Sequence, residues 1–251
     1  MEIRLDGRTA LVTGSTGGIG AGIATTLADA GAFVVISGRD SARGAQVVAD
    51  IEQAGGRATF LAADLAAGET AVRALARQAT DAARGRIDVL VNNAARLVTP
   101  APTAEVPADL ISEAFTVSVP APFLLTGLLA PAMAERGWGA VVNIGSINGL
   151  VGMGGSALYS MSKAALHSLN KSWAAEYAAS GVRVNLVAAG PTETDRNLAR
   201  RDALTHVLAG IPSGRMSAIS DVAAAVLFLA SDAATNIHGA TLTVDGGFTV
   251  V

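Results

Sequence analysis

The chain contains no cysteine among its 251 residues. A disulfide, a thiol nucleophile and a thiolate metal site are therefore all excluded. Histidine is also scarce, because the chain has only His167, His206 and His238. The three lie far apart and show none of the close spacings that metal ligands require. We therefore predict no metal site.

Charge is sparse as well: 16% of residues are charged, the net charge is −3, and no run of basic residues occurs. A nucleic-acid partner is therefore not expected. The longest uncharged run, 114–134, contains three prolines and several small polar residues, so it predicts a buried or subunit-facing helix rather than a membrane span. Acidic side chains precede the first apolar run, which is not the pattern of a signal peptide. We expect a cytoplasmic protein.

What the chain has in abundance is apolar material, at 51% of residues, arranged as short runs that alternate with helical patterns. The predicted strands are 8–14, 33–37, 58–62, 87–92, 140–144, 182–187 and 241–244. The predicted helices are 18–30, 41–54, 69–83, 109–136, 157–179 and 221–231, the last capped by Asp221. This alternation is typical of a doubly wound α/β fold: seven strands, mostly parallel, with helices on both faces. Since no linker or repeat interrupts it, we predict one domain, 1–251.

A glycine-rich turn joins the first strand to the first helix, reading TGSTGGIG over 13–20. Glycines let the backbone approach a pyrophosphate, and the helix N-terminus that follows supplies unpaired N–H donors and a favourable dipole. No Gly-Lys-Ser/Thr follows, which argues against a nucleoside-triphosphate loop. The turn therefore predicts a dinucleotide site.

Tyr159 and Lys163 stand four residues apart, which places them on one face of a helix. A nearby cation stabilises a phenolate and should lower the pKa of Tyr159 from its ordinary value of about 10. Ser146 can offer a hydroxyl to a carbonyl oxygen. Together the three predict proton transfer in a carbonyl/alcohol pair. The Tyr-x-x-x-Lys spacing by itself occurs by chance in many helices.

These motifs stand in order with Asn92-Asn93-Ala94, with Gly190-Pro191-Thr192-Glu193-Thr194, and with the ending GATLTVDGG. In this combination the sequence resembles the short-chain dehydrogenase/reductase family over essentially the whole chain, in particular its 3-oxoacyl-(acyl-carrier-protein) reductase-like group. The resemblance implies a Rossmann fold. It also implies an oxidoreductase that transfers a hydride between a nicotinamide cofactor and a carbonyl or secondary alcohol.

The resemblance also implies roles for individual residues. Tyr159 would be the general acid/base, Lys163 would lower its pKa and bind the nicotinamide ribose, and Ser146 would orient the carbonyl. Asp64 is alternatively a cap, and Asn92 alternatively a turn residue. The implied cofactor contacts are Gly14, Thr16, Gly18, Ile19, Gly20, Asp64, Leu65, Asn92, Ala94, Tyr159, Lys163, Pro191, Thr192 and Thr194.

Two positions depart from the family pattern. Ala189 stands where a proline usually precedes Gly190, which is expected to loosen the loop over the nicotinamide without removing its contacts. Ser118 stands where members usually carry an asparagine that helps a water reach the lysine. Pro120 follows in the same predicted helix and removes an N–H there. We expect either a rerouted proton relay through Ser118 or weaker catalysis. A dinucleotide-binding sensor or partner protein with impaired catalysis is therefore the alternative function.

The cofactor is predicted from the residues after the second strand. Members that prefer NAD usually place an Asp there for the ribose 2′-hydroxyl, but this chain has Gly38 followed by Arg39. An arginine can bind a 2′-phosphate through its planar fork. NADP(H) is therefore favoured and NAD(H) remains possible, with Asp40 as an alternative partner for Arg39.

Substrate specificity is expected from 95–100, 147–156 and a substrate loop at about 191–212. The middle segment is rich in glycine and small apolar residues, which suits an uncharged or partly apolar small molecule, a carbonyl or alcohol. The arginines of the loop either meet an anionic carrier group or cofactor phosphate, or form a solvated helix face: Arg196, Arg200 and Arg201.

The apolar helices 109–136 and 157–179 predict a homo-oligomer, a tetramer or a dimer.

Overall fold

The computed structural model describes residues 3–250, apart from the side chain at 203. Its seven strands form one sheet in the order β3-β2-β1-β4-β5-β6-β7, and every neighbouring pair is parallel. The strands are β1 Thr9–Thr13, β2 Phe33–Gly38, β3 Arg57–Ala62, β4 Val89–Asn92, β5 Gly139–Ser146, β6 Val182–Ala189 and β7 Thr241–Val244. The prediction of a doubly wound, seven-stranded α/β fold is confirmed.

Helices connect the strands and cover both faces of the sheet. They are α1 Gly18–Asp29, α2 Ser41–Gln53, α3 Glu69–Ala82, α4 Ala108–Ser118, α5 Pro120–Glu135, α6 Ala157–Tyr177, α7 Asp195–Leu198, α8 Thr205–Ala209 and α9 Ile219–Ala230. The central strands are buried on both faces, and alternate residues supply two separate cores. Val12 packs in the core beneath α1 and α9, whereas Leu11 packs in the core beneath α3, α5 and α6. Such two-sided burial is why these strands read as unbroken apolar runs.

The predicted helix 109–136 is wrong in one respect, because the structure divides it into α4 and α5. The two helices meet at Val119, whose φ of −128° and ψ of −65° are not helical. Pro120 explains the break, since a proline disfavours the helical conformation in the residue before it and cannot donate to the preceding turn. Pro120 instead begins α5, where its missing N–H costs nothing.

The run Ala108–Glu135 has the length and mean hydropathy, 1.6, that a membrane-spanning helix needs. It is nevertheless interrupted at Val119, and 44% of its most apolar window is buried inside the protein. Since less than half of this window is buried in the single chain, the buried or subunit-facing helix stays a prediction.

The C-terminal third differs from the prediction at one helix boundary. The helix expected over 221–231 begins at Ile219, so Asp221 lies in the first turn rather than at the cap. Its carboxylate accepts the N–H of Ala218 at 2.9 Å, which still satisfies a free donor of the helix end. The predicted substrate loop contains two short helices, α7 and α8.

Candidate active site

A cavity of about 840 Å³ opens at the carboxyl ends of the central strands. This volume lies within the range of small-molecule and cofactor sites. Strand order reverses between β1 and β4, and an open α/β sheet binds its ligand at such a switch point. The site residues predicted at the ends of β1, β2, β4, β5 and β6 therefore lie around this one cavity.

The glycine-rich turn forms one wall of this cavity. Gly14 and Gly18 adopt φ values of +63° and +54°, a left-handed conformation that residues other than glycine rarely adopt. A Cβ at Gly20 would lie 2.3 Å from the carbonyl oxygen of Gly14, so the turn closes only with glycine there. Thr16 and Ile19 line the cavity beside them. This bare backbone at the N-terminus of α1 fits a dinucleotide pyrophosphate.

Asn93, which the sequence analysis did not select, fixes the shape of that turn. Its side-chain amide donates to the carbonyl oxygens of Thr13 and Gly14 at 2.8 and 2.9 Å. In return, the Thr13 hydroxyl accepts the N–H groups of Asn93 and Ala94 at 3.0 Å each. These four bonds join the end of β4 to the end of β1.

Asn92 does not reach the cavity, although it was predicted as a cofactor contact. Its side chain is buried within the sheet and donates to Asn143 Oδ1 at 2.9 Å. Asn143 in turn donates to Asn170 of α6 at 3.1 Å. Side chains alternate along a strand, so Asn92 points into the core face while Asn93 and Ala94 line the cavity.

A small recess on the surface beside Thr16 is lined by Thr16, Arg39, Asp40 and Arg43. Arg39 is exposed and, within residues 3–250, makes no side-chain ion pair or hydrogen bond. The suggested pairing with Asp40 is not formed, because Asp40 caps α2 and lies 3.5 Å from Arg43 instead. Arg43 was not predicted, although its position three residues after the cap places it in the first turn. The recess therefore presents two cationic side chains and the carboxylate of Asp40, which pairs with Arg43 and leaves Arg39 without a counter-ion within residues 3–250.

The remaining predicted cofactor contacts lie along the same cavity. Asp64 and Leu65 line it at the end of β3, and Asp64 also caps a short 3-10 turn by accepting the N–H of Ala66 at 3.1 Å. Both suggested roles of Asp64 are therefore compatible. The residues following β6 complete the lining on the other side: Pro191, Thr192 and Thr194.

Ser146, Tyr159 and Lys163 meet at the inner end of the cavity. Ser146 ends β5, and Tyr159 and Lys163 lie one turn apart on α6. The Ser146 hydroxyl accepts the N–H of Asn148 at 3.2 Å, which fixes its position. Lys163 is buried, and its ammonium donates to the carbonyl oxygen of Ile144 at 2.7 Å.

The pKa of Tyr159 differs from the prediction. Burial raises this pKa above 10, while hydrogen bonding to Ser146 and the charge of Arg196 oppose the rise. Lys163 does not produce the expected lowering, because its ammonium is held on the Ile144 carbonyl, 5.7 Å from the centre of the Tyr159 ring. Burial also lowers the pKa of Lys163 to about 8. In the protein alone, Tyr159 is therefore a neutral phenol, which is the form that donates a proton.

His167 lies beneath this group, and the sequence analysis considered it only as a metal ligand. It is buried, and its Nε2 accepts the backbone N–H of Ser146 at 3.5 Å. Burial, together with the charges of Lys163 and Lys171, lowers the pKa of His167 from 6.5 to about 4. His167 is consequently neutral at pH 7. It supports the strand end that carries Ser146.

Because His167 is buried in its neutral form, we expect the folded protein to lose stability in acid. The unfolded chain protonates His167 below about pH 6.5, but the folded protein resists protonation down to about pH 4, so stability falls as pH decreases through this window. His167→Gln keeps an acceptor and removes the titration. We expect its melting temperature to fall less than that of the wild type between pH 7 and 4.5. His206→Gln, at an exposed histidine, is the control, and equal slopes for all three proteins would contradict the prediction.

Ser118, predicted as part of a proton relay, does not line the cavity. It ends α4 immediately before the break at Val119, and its side chain is buried. Its hydroxyl has no hydrogen-bond partner among the described residues. Because buried hydroxyl groups normally form a hydrogen bond, we expect a small polar partner such as a water beside this one. Its part in catalysis stays a prediction.

The substrate end of the cavity is lined by all three predicted segments, including Val98, Met153 and Val207. Three arginines also reach it: Arg96, Arg196 and Arg200. Arg201, the third arginine of the substrate loop, is exposed and lies outside the cavity lining.

Comparison with known proteins agrees with this site. The model of a family described as Enoyl-(Acyl carrier protein) reductase matches residues 14–249. Cis-4-hydroxycyclohexanecarboxylate dehydrogenase of Sinomonas cyclohexanicum is 41% identical over 246 residues, with 97% of each chain covered. A 3-oxoacyl-(acyl-carrier-protein) reductase of Escherichia coli is 37% identical over 251 residues, covering 99% of this chain and 100% of the relative.

Among solved structures, a protein described as an NAD(P)-dependent gluconate 5-dehydrogenase from Beutenbergia cavernae is 38% identical. Its TM-score is 0.93, both chains are fully covered, and NADP is bound in it. The chain therefore belongs to the short-chain dehydrogenase/reductase family, as its motifs predicted, and is an oxidoreductase.

Proposed function

We propose that this protein is an NADP(H)-dependent oxidoreductase that interconverts a secondary alcohol and a carbonyl compound. The observation that carries the proposal is the shared cavity. Ser146, Tyr159 and Lys163 line the same space as the glycine turn and the arginine-flanked recess. A dinucleotide lying along this cavity would bring its nicotinamide to the tyrosine.

Each catalytic side chain has a task that follows from its position. Ser146 donates a hydrogen bond to the substrate oxygen and holds the carbonyl against the phenol of Tyr159. Tyr159 donates its proton to that oxygen in the reductive direction and accepts it in the oxidative direction. The bound nicotinamide supplies or accepts the hydride. Lys163 keeps a positive charge beside the forming phenolate.

The cofactor proposal depends on charge as well as on shape. Arg39 and Arg43 are the cationic groups of the recess beside Thr16, and a 2′-phosphate suits them because arginine binds phosphate through paired donors. Solved relatives from Beutenbergia cavernae and Agrobacterium tumefaciens contain NADP, and the second is 37% identical with a TM-score of 0.90. Both findings support NADP(H) over NAD(H).

The alternative of a catalytically impaired binding protein is not favoured. Its support was Ser118, which lies outside the cavity, whereas the three catalytic side chains line it together. Curated relatives are named as dehydrogenases or reductases of a cyclohexanecarboxylate, an acyl-carrier-protein thioester and a sugar alcohol. Their common chemistry is a CH–OH/C=O interconversion on a small or carrier-bound molecule.

The experiment for this function is a panel of ketones, 3-oxoacyl thioesters and secondary alcohols, followed by the nicotinamide absorbance with NADPH or NADP⁺. We expect turnover of some members. NADPH binding without turnover across the whole panel would instead support the impaired-site alternative.

We propose further that the chain acts as one catalytic domain, cytoplasmic and homo-oligomeric. Large apolar side chains are exposed on α4, α5 and α6 in the single chain: Ile111, Phe115, Phe123 and Met161. Exposed large apolar side chains on neighbouring helices are typical of a surface that a second copy of the chain covers. A solution mass of two or four times 25.1 kDa is expected, and the mass of a single chain would contradict it.

A further inference from the structure

The substrate end of the cavity holds more positive charge than the reaction itself requires. Arg96 is neutralised by Glu113, because its Nε lies 3.0 Å from Oε1 of that carboxylate. Arg196 and Arg200 are partly buried and form no ion pair with any residue in 3–250. The other carboxylate in this part of the lining, Asp195, is exposed and lies beyond 4 Å from both.

Arg196 is placed close to the reacting groups. Its Nη2 donates to the carbonyl oxygen of Val98 at 3.4 Å, so the side chain reaches from α7 across to the loop after β4. Arg196 and Tyr159 line the same cavity, and the charge of Arg196 opposes the rise in the pKa of Tyr159. A guanidinium has five N–H donors, so the remaining edge is available to a ligand.

A partly buried cation without a counter-ion is suited to bind an anion, because burial has already removed part of its water. The planar fork of arginine matches a carboxylate, which it binds through two parallel hydrogen bonds. We propose that the substrate carries a carboxylate that is bound by Arg196 with support from Arg200, so that the reaction pair is a hydroxy acid and an oxo acid. This proposal rests on the proposed oxidoreductase function and names its substrate class.

The reaction remains balanced with this substrate. In the oxidative direction Tyr159 first releases its own proton to solvent, and the alcohol O–H and carbinol C–H bonds then break as the C=O bond forms. The hydroxyl proton passes to the Tyr159 phenolate and the hydride passes to NADP⁺. The carboxylate is unchanged and serves only to position the carbinol carbon. The small apolar residues of 147–156 contact the body of the substrate.

Binding tests this proposal without requiring turnover. Protein saturated with NADPH is titrated calorimetrically with three shape-matched pairs: benzoate and benzamide, cyclohexanecarboxylate and its carboxamide, hexanoate and hexanamide. We expect at least one carboxylate to bind tenfold or more tightly than its amide. Arg196→Gln should abolish that preference, Arg196→Lys should keep part of it, and Arg201→Gln in the same loop should keep all of it.

Several outcomes would overturn the proposal. Equal binding of acid and amide in every pair, or a preference that survives in Arg196→Gln, would exclude Arg196 as a carboxylate ligand. Weakened NADPH binding in Arg196→Gln with no change in the acid preference would assign the side chain to a cofactor phosphate.

Turnover separates this proposal from the proposed function. Hydroxy acids and their carboxamides are compared as substrates with NADP⁺, and Arg196→Gln should raise KM for the acid about tenfold or more. Oxidation of neutral alcohols with no advantage for acids would overturn the carboxylate proposal while leaving the dehydrogenase function intact.

Discussion

Tyr159→Phe is expected to lower kcat by about two to four orders of magnitude while NADPH binds as tightly as before. The substitution removes only the phenolic oxygen, which is the proposed proton donor, and general acid–base groups contribute rate factors of about this size. The ring itself remains, so the wall of the cavity beside Ser146 is preserved. Steady-state rates on any substrate of the wild type, together with an NADPH titration, measure both effects.

The chain supplies its own control for this experiment. Its only other tyrosine, Tyr177, lies at the C-terminal end of the same helix, outside the cavity lining. Tyr177→Phe makes the same chemical change and should leave kcat within a factor of two or so. A Tyr159→Phe protein with kcat within tenfold of the wild type would exclude Tyr159 as the general acid.

The second large effect is expected at the recess beside Thr16. Hydrogen bonds to charged groups contribute about 1.5–3 kcal/mol each, and about 1.4 kcal/mol is a factor of ten in affinity. Replacing both arginines, Arg39→Gln with Arg43→Gln, should therefore weaken NADPH about 100-fold or more. NADH lacks the 2′-phosphate, so its affinity should change little.

Arg77→Gln, an exposed arginine on α3 outside the cavity, serves as the matched loss of charge and should alter neither affinity. Equal weakening of NADPH and NADH in the double variant would show that the arginines support the fold of the recess rather than the phosphate. Unchanged NADPH affinity would place the 2′-phosphate elsewhere.

The cofactor wall and the catalytic residues could be predicted because their signals are local. The glycine turn and the Tyr159–Lys163 spacing each lie within eight residues, and their order along the chain specifies where each strand ends. The break at Val119 was also within reach of the sequence, since Pro120 acts on its immediate neighbour. It was missed because the uncharged run was interpreted as one element.

The contacts that were missed depend on residues distant in the chain. His167 supports Ser146 from 21 residues away, and Asn93 fixes a turn about 80 residues earlier. The direction of the Tyr159 pKa likewise depends on burial and on where the Lys163 ammonium is held, neither of which follows from a four-residue spacing. Asn92 was preferred to Asn93 because the alternation of β4 could not be assigned to a face from sequence.

Isotope transfer tests the central claim most directly. NADPH deuterated at C4 of the nicotinamide, in separate samples for each face of the ring, is incubated with the protein and a ketone that it reduces. Mass spectrometry of the product alcohol is expected to find deuterium on the carbinol carbon from one of the two samples, with a rate that collapses in Tyr159→Phe. Product without deuterium from either sample, or no reduction of any carbonyl despite bound NADPH, would contradict hydride transfer at this site.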